Sequence, residues 1–407
     1  MPELTTGERL LLRALCSAIH GEHVQFEAPL SASDWWALRT LAVQHRLIPI
    51  LAEALNPGTA LSCLPGEWKR FLELARERTV NQAARTGEFL ALLGELSTRG
   101  LEPVVVKGIV CRSLYSEPEQ RVSNDEDLLI RPEELPTYHE ALLACGLHLL
   151  DSDIPMETAE EITYVDPQRN LYLEVHLKPF PGEDCMWGDF NHAFQNVFER
   201  STCVNIYGRM VRTMEPTDHL LYLLCHAYKH LIYSGVGLRQ ICDLCLFAQR
   251  FGGVIDWHRL QSECSALGIE YLASAMFLIG QRWLEIPAPT SFTDPAPDEI
   301  PLLKDCLSGG LYGAEDKDRV HSRAYTLDEI RASREGRRPH GTARSLFPGR
   351  SSLAGRYPYL RKRPWLLPAA WVQRLWGYVI RERANPGKSI QIGRDRIALL
   401  KQYQILP

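Results

Sequence analysis

No apolar run in the 407-residue chain reaches the roughly 18–20 residues that a membrane-spanning helix needs. Residues 1–20 mix Glu, Arg and Leu without an uninterrupted apolar core, so no secretory leader is expected. An excess of one charge is also missing. The 45 Lys and Arg against 50 Asp and Glu leave a net charge of −5, which favours neither nucleic acid nor an acidic membrane as partner. The eleven cysteines are odd in number and scattered, which points to free thiols in a reducing cytoplasm rather than to a disulfide framework. No repeat of solenoid period is present. What remains, 45% hydrophobic and 23% charged, is ordinary for a soluble globular protein long enough to form two or three domains.

Helical periodicity dominates residues 6–95. Leu10, Leu11, Ala14, Leu15 and Ile19 mark one apolar face, and Trp35 to Leu51 a second. A long segment from Trp68 to Leu96 follows and closes at Gly100. At Val104 the period changes from 3.6 to 2, which predicts entry into an α+β unit. Helix-start chemistry at Pro132-Glu133-Glu134 opens a helix that stops at Gly146, and a hairpin is expected from 162–165 and 171–177. Helices are expected from 216, over 238–251 and from 256, ending near Pro287. The resulting division is a helical region at 1–96, a core at 97–213, a helical domain at 214–287, a linker and basic arm at 288–363, and a C-terminal helical element at 364–407.

The chemistry concentrates in Val104–Arg131. Val104-Val105-Val106 ends in Lys107-Gly108, a short helix is expected from Ile109 to Tyr115, and Asp125-Glu126-Asp127 runs into Leu128-Leu129-Ile130. Strand alternation puts Asp125 and Asp127 on one face, with Tyr172, Glu174 and His176 sharing a face of the later strand. Like charges held together repel unless a cation lies between them, and a divalent ion carrying a nucleoside triphosphate answers that need. In this reading Asp125, Asp127 and Glu174 are the catalytic and metal-holding residues for about two Mg²⁺ ions. Gly108 lets backbone approach phosphate, the helix tip at Ile109 offers free N–H groups, and Lys107 and Arg121 are counter-charges. Removing one of the paired charges should leave the metal-free protein no less stable.

These residues resemble the uncharacterised nucleotidyltransferase family of the DNA polymerase β superfamily. Its pattern, Lys-Gly, Leu-Tyr, Arg-x-x-x-Asp-x-Asp and Glu-x-His, stands here as Lys107-Gly108, Leu114-Tyr115, Arg121, Asp125, Asp127, Glu174 and His176. Downstream, His226, His230, Asp243, Phe347-Pro348 and Arg356-Tyr357-Pro358 extend the likeness. The resemblance implies a polymerase-β-like core, a small mixed sheet with helices, flanked by helical regions. It also implies Mg²⁺-dependent transfer of a nucleoside monophosphate from an NTP to an acceptor, with peptide or polysaccharide tailoring among the uses of relatives. The acceptor is unidentified: a small molecule, peptide or saccharide. Two departures stand out, Glu126 where an apolar residue is usual and Asn124 where Ser or Gly is expected. The alternative function is therefore a catalytically degenerate member that binds nucleotide or a partner without turnover.

Further residues have two readings each. His176 binds phosphate or acceptor, or is a hydrogen-bonded structural histidine. Arg239 and Asp243 face the nucleotide, or form an i, i+4 surface pair. His226, His230, Cys242 and Cys245 are potential zinc ligands, although the cysteines lie in an apolar helical run that suits core packing. The basic positions between Arg331 and Arg363 form a solvated arm or dock an acidic acceptor or RNA. Trp365–Ile380 closes the helical domain or rests on a membrane surface.

Overall fold

The computed structural model describes residues 4–55, 65–150, 159–180, 190–233, 235–294, 296–310, 317–334, 336, 349–353, 357, 359–376 and 385–406. Phe347-Pro348, Arg356, Pro358, Arg337, Arg338 and Arg344 lie outside them. The chain divides into two compact units, one of Met1–His226 with Leu238–Glu299, the other of Ala227–Gly237 with Ile300–Pro407.

Among the described residues the first unit opens with the helices α1 (Thr6–Ile19), α2 (Ala32–Gln44), α3 (Ile48–Ala54) and α4 (Pro65–Thr98). The starts of α1 and α2 are fixed by capping boxes, Thr5 with Glu8 and Ser31 with Asp34, each satisfying backbone donors the helix leaves open. Trp35 is fully buried and meets Trp68 and Phe71 edge-on, joining α2 to α4.

A seven-stranded mixed sheet follows, built from β1 (Val104–Val106), β2 (Glu126–Leu129), β3 (His148–Leu149), β4 (Glu161–Asp166), β5 (Leu171–His176), β6 (Thr202–Ile206) and β7 (Arg209–Thr213). Its spatial order is β3-β4-β5-β2-β1-β7-β6, so β2 lies at the centre. There β2 runs antiparallel to β1 and parallel to β5, and all four of its residues are buried. The expected hairpin is β4–β5, in which Leu171, Leu173 and Val175 are buried and Tyr172 and Glu174 half-buried. The β6–β7 hairpin turns on Tyr207 and Gly208, with φ of 51° and 81°, the pair of positive values that a two-residue type I′ turn requires.

Two short connections complete the core: α5 (Gly108–Arg112) leaves β1, and α6 (Leu135–Ala144) leaves β2 after a 3₁₀ turn at Pro132–Glu134. Then come α7 (Pro216–Tyr233), α8 (Leu238–Phe251), α9 (Trp257–Ala266) and α10 (Glu270–Trp283); the third helix expected from 256 is thus two, parted at Leu267–Ile269. The expected α+β core with helical flanks is therefore what the chain forms.

The second unit contains α11 (Ile300–Gly309), α12 (Lys317–Arg334), α13 (Arg350–Leu353), α14 (Tyr359–Lys362), α15 (Leu367–Trp376) and α16 (Pro386–Gln402). Four of these helices, α11 to α14, occupy part of the stretch expected as linker and arm. Polar anchors explain why α12 escaped an apolar-periodicity reading. Buried Arg319 pairs with Asp305, and Asp318 accepts from Asn385 N at 2.6 Å and from Ser389 Oγ at 3.1 Å. Arg396, 2% exposed, donates to the carbonyls of Leu231, Ile232 and Tyr233, the open acceptors at the end of α7.

Candidate active site

Strand register brings the distant acids together. Asp127 on β2 stands opposite Glu174 on parallel β5, and on its other side opposite Val106, the residue before Lys107. His176, two residues after Glu174, points its Nε2 at the same place, 3.1 Å from Asp127 Oδ1 and 3.8 Å from Glu174 Oε2. Among the described residues, Asp127, Glu174 and His176 are the one group of three or more His, Cys, Asp or Glu whose ligand atoms come together, all within 4.8 Å. Asp125 precedes the strand, half-buried, and its charge reaches both Lys107 and Glu174.

Lys107 answers the acids from the end of β1. Its Nζ lies 2.8 Å from Asp127 Oδ1, 3.0 Å from His226 Nε2 and 5.9 Å from the centre of the Tyr222 ring. Its backbone has φ 53° and ψ −125°, a strained conformation for a residue with a side chain. The Lys107 N–H donates to His219 Nε2 at 3.2 Å. That nitrogen must then lack a proton, so His219 Nδ1 donates to Thr213 Oγ1 at 3.2 Å, and the threonine hydroxyl donates to Val105 O at 2.6 Å. Burial, with Lys107 second, pulls the His219 imidazole down to about 3, which keeps it in this neutral form.

The electrostatics of the cluster are unequal. Burial works against the Asp127 charge, but Lys107 and then His176 hold its carboxyl well below the usual range. Burial also opposes the Lys107 charge and is outweighed, chiefly by Asp127. For Glu174 the balance runs the other way: burial, then Asp127, Asp125 and Glu161, push it up to about 8 against the pull of Lys107. The donor set suits a cation, since two carboxylates and an imidazole converge where negative charge is in surplus.

Glu126, the departure from the expected pattern, faces the other side of β2. It is 1% exposed and pairs with Arg112, equally buried, while its Oε2 accepts from Ile109 N at 3.0 Å. A Cβ on Gly108, whose φ is +34°, would come within 2.2 Å of that oxygen. The glycine is needed here, but for a carboxylate of the chain itself. At the tip of α5, expected to offer free amides to phosphate, the Ile109 amide is taken by Glu126.

Arg121, Arg239 and Asp243 also take positions different from those expected. Both Asp243 oxygens are engaged by Arg121, and Tyr115 OH donates to Oδ1 at 2.8 Å, all three residues being buried. Arg239 instead donates to Val122 O. The i, i+4 surface pair is thus replaced by two anchors on the loop before β2. Ser123 N donates to Gln82 Oε1 at 2.9 Å, and Arg85 donates to Ser123 O, tying the same loop to α4. The four zinc candidates do not form a metal-ligand group among the described residues; Cys242 and Cys245 are buried, and Cys245 Sγ lies 3.8 Å from Met276 O. Glu161 and His219 were not anticipated. Glu161 was legible in principle, because counting back through the β4–β5 hairpin sets it opposite His176.

The family of uncharacterised nucleotidyltransferases matches residues 31–285, well over half of the chain and all of the sheet. The chain belongs to that family. No curated protein and no solved structure matches it. Membership makes the general reaction of the family, transfer of a nucleotidyl group, the frame for the acidic cluster. No helix among the described residues is long and apolar enough to cross a membrane.

Proposed function

We propose that the chain transfers a nucleoside monophosphate from an NTP to an acceptor hydroxyl, using divalent metal held by Asp125, Asp127 and Glu174. The observation that carries this reading is the register Asp127↔Glu174 beside Lys107, which concentrates acids and one cation at the centre of the sheet. A divalent ion bound there supplies Lewis-acid polarisation of the triphosphate and a template for its orientation. Lys107, 14% exposed at its side chain, carries the positive charge for phosphate oxygens. Glu174 takes the proton that the acceptor hydroxyl gives up. The hydroxyl oxygen then bonds to the α-phosphorus, the bond to the bridging oxygen breaks, and pyrophosphate leaves with that electron pair. Arg121, Asp243 and Arg239 serve by holding the loop that presents Asp125, and Gly108 by admitting Glu126. A peptide, saccharide or small-molecule acceptor fits the reading, in a cytoplasmic setting.

The test incubates the purified chain with each α-labelled NTP, Mg²⁺ or Mn²⁺, and cell extract as a source of acceptor. Release of pyrophosphate with label on an acceptor is expected, and Asp127→Asn should lower it at least 100-fold (~2.7 kcal/mol or more of barrier). Nucleotide binding without pyrophosphate release, for every NTP, would identify a binding protein instead.

A further inference from the structure

His176 is placed unlike a residue that only packs. In β5 it lies on the face of Glu174, and its two ring nitrogens meet different groups. In the metal-free chain Nε2 is hydrogen-bonded to Asp127 Oδ1 at 3.1 Å, a contact a metal would replace, and lies 3.8 Å from Glu174 Oε2, while Nδ1 points to Glu161 Oε2 at 3.4 Å on the neighbouring strand. Register enforces this arrangement, since Glu161 is the antiparallel partner of His176 and Asp127 the parallel partner of Glu174. An imidazole with one nitrogen toward carboxylates and the other backed by a further carboxylate matches the usual surroundings of a metal-bound histidine. The second carboxylate fixes the tautomer and raises the basicity of the ligating nitrogen.

The spacing is compatible. Donors on adjacent vertices of an octahedron with bonds of about 2.1 Å lie about 3.0 Å apart. The Nε2 to Asp127 Oδ1 separation is 3.1 Å, and that to Glu174 Oε2, at 3.8 Å, is somewhat wider. The other imidazole near the acids, His226, has its Nε2 within 3.0 Å of Lys107 Nζ. His219 has its Nε2 on the Lys107 amide and its Nδ1 on Thr213.

We infer that His176 Nε2 is a nitrogen ligand in a mixed site with Asp127 and Glu174, that Glu161 orients it, and that the site takes a first-row transition dication, Mn²⁺ or Co²⁺, in preference to Mg²⁺. Magnesium favours oxygen donors and water, whereas imidazole shifts selectivity toward transition metals. This rests on the nucleotidyl-transfer reading for the presence of a metal, and it specifies which metal and through which atom.

Electron spin-echo spectroscopy of Mn²⁺ added to the full chain, without nucleotide, reads the nitrogen directly. A ¹⁴N coupling that changes to a ¹⁵N pattern on labelling histidine is expected in the native protein and needs no variant. His226→Gln should keep the coupling; His176→Gln should lose it while retaining weaker Mn²⁺ binding. By titration calorimetry, Mn²⁺ should bind at least tenfold tighter than Mg²⁺. Glu161→Gln should weaken Mn²⁺ about tenfold, at the lower end of the effect of losing such an orienting partner. Mn²⁺ bound with no histidine coupling, or a coupling lost with His226→Gln and kept with His176→Gln, overturns the inference and leaves nucleotidyl transfer standing. Absence of both Mn²⁺ binding and pyrophosphate release overturns the two together.

Discussion

Two acids that look equivalent on paper have opposite energetics in the fold. Asp127 is stabilised in its charged form by Lys107 and His176, so Asp127→Asn strands a buried ammonium and should lower the stability of the metal-free protein. This prediction is opposite to the one drawn from the Asp125–Asp127 pair alone, because the main neighbour of Asp127 is a lysine at the end of another strand. Glu174 is the acid that carries the strain. Its carboxyl rises from 4.5 to about 8, through burial first and then Asp127, Asp125 and Glu161. A group raised on folding contributes stability that is complete below its unfolded value and is lost as pH climbs through the folded one. Denaturant unfolding with chelator present should therefore show stability falling between pH 4.5 and 8, by on the order of a few kcal/mol. Glu174→Gln should flatten that fall. An unchanged slope would mean that Glu174 is solvated and not pressed against its neighbours.

At the scale of elements, the loop from Arg121 to Asp125 and the short helix α5 are defined by partners far away in sequence. The apolar run at β1, the hairpin about Asp166 to Asn170, the Asp125-x-Asp127 spacing and the Glu174-x-His176 spacing were readable because each is a local pattern. The partner of Glu126 was not: Arg112 lies in a helix that has to fold back over β2 before the two meet. Asp243 was matched on paper to Arg239, one helical turn away, yet Arg121 claims both its oxygens from another element. The β6–β7 hairpin left a weak signal, since half of its residues face solvent and β6 is an edge strand. The buried Glu126–Arg112 pair supports a direct test. Glu126→Gln leaves Arg112 uncompensated and should cost about 3–5 kcal/mol in chemical denaturation, whereas Glu126→Met with Arg112→Met should recover most of the loss. A single variant as stable as the native chain would show that the pair does not hold α5 against the sheet.

On the scale of the whole molecule, every residue assigned to the site belongs to the first unit, on or beside β1, β2, β4 and β5, on the loop before β2, and in α7 and α8. Unfolding any of these strands dismantles the cluster, so binding and the stability of the sheet must be linked. A ligand that binds only the folded form, at about 100 times its dissociation constant, adds about 2.7 kcal/mol. With Mn²⁺ and an NTP at such concentrations, hydrogen exchange should slow in β1, β2 and β5, and thermal unfolding of the native chain should move upward. Asp127→Asn should show neither effect under identical conditions, although its starting stability is lower. Protection gained within Ile300–Pro407 and absent from the three strands would place the ligand elsewhere and detach the acidic cluster from nucleotide binding.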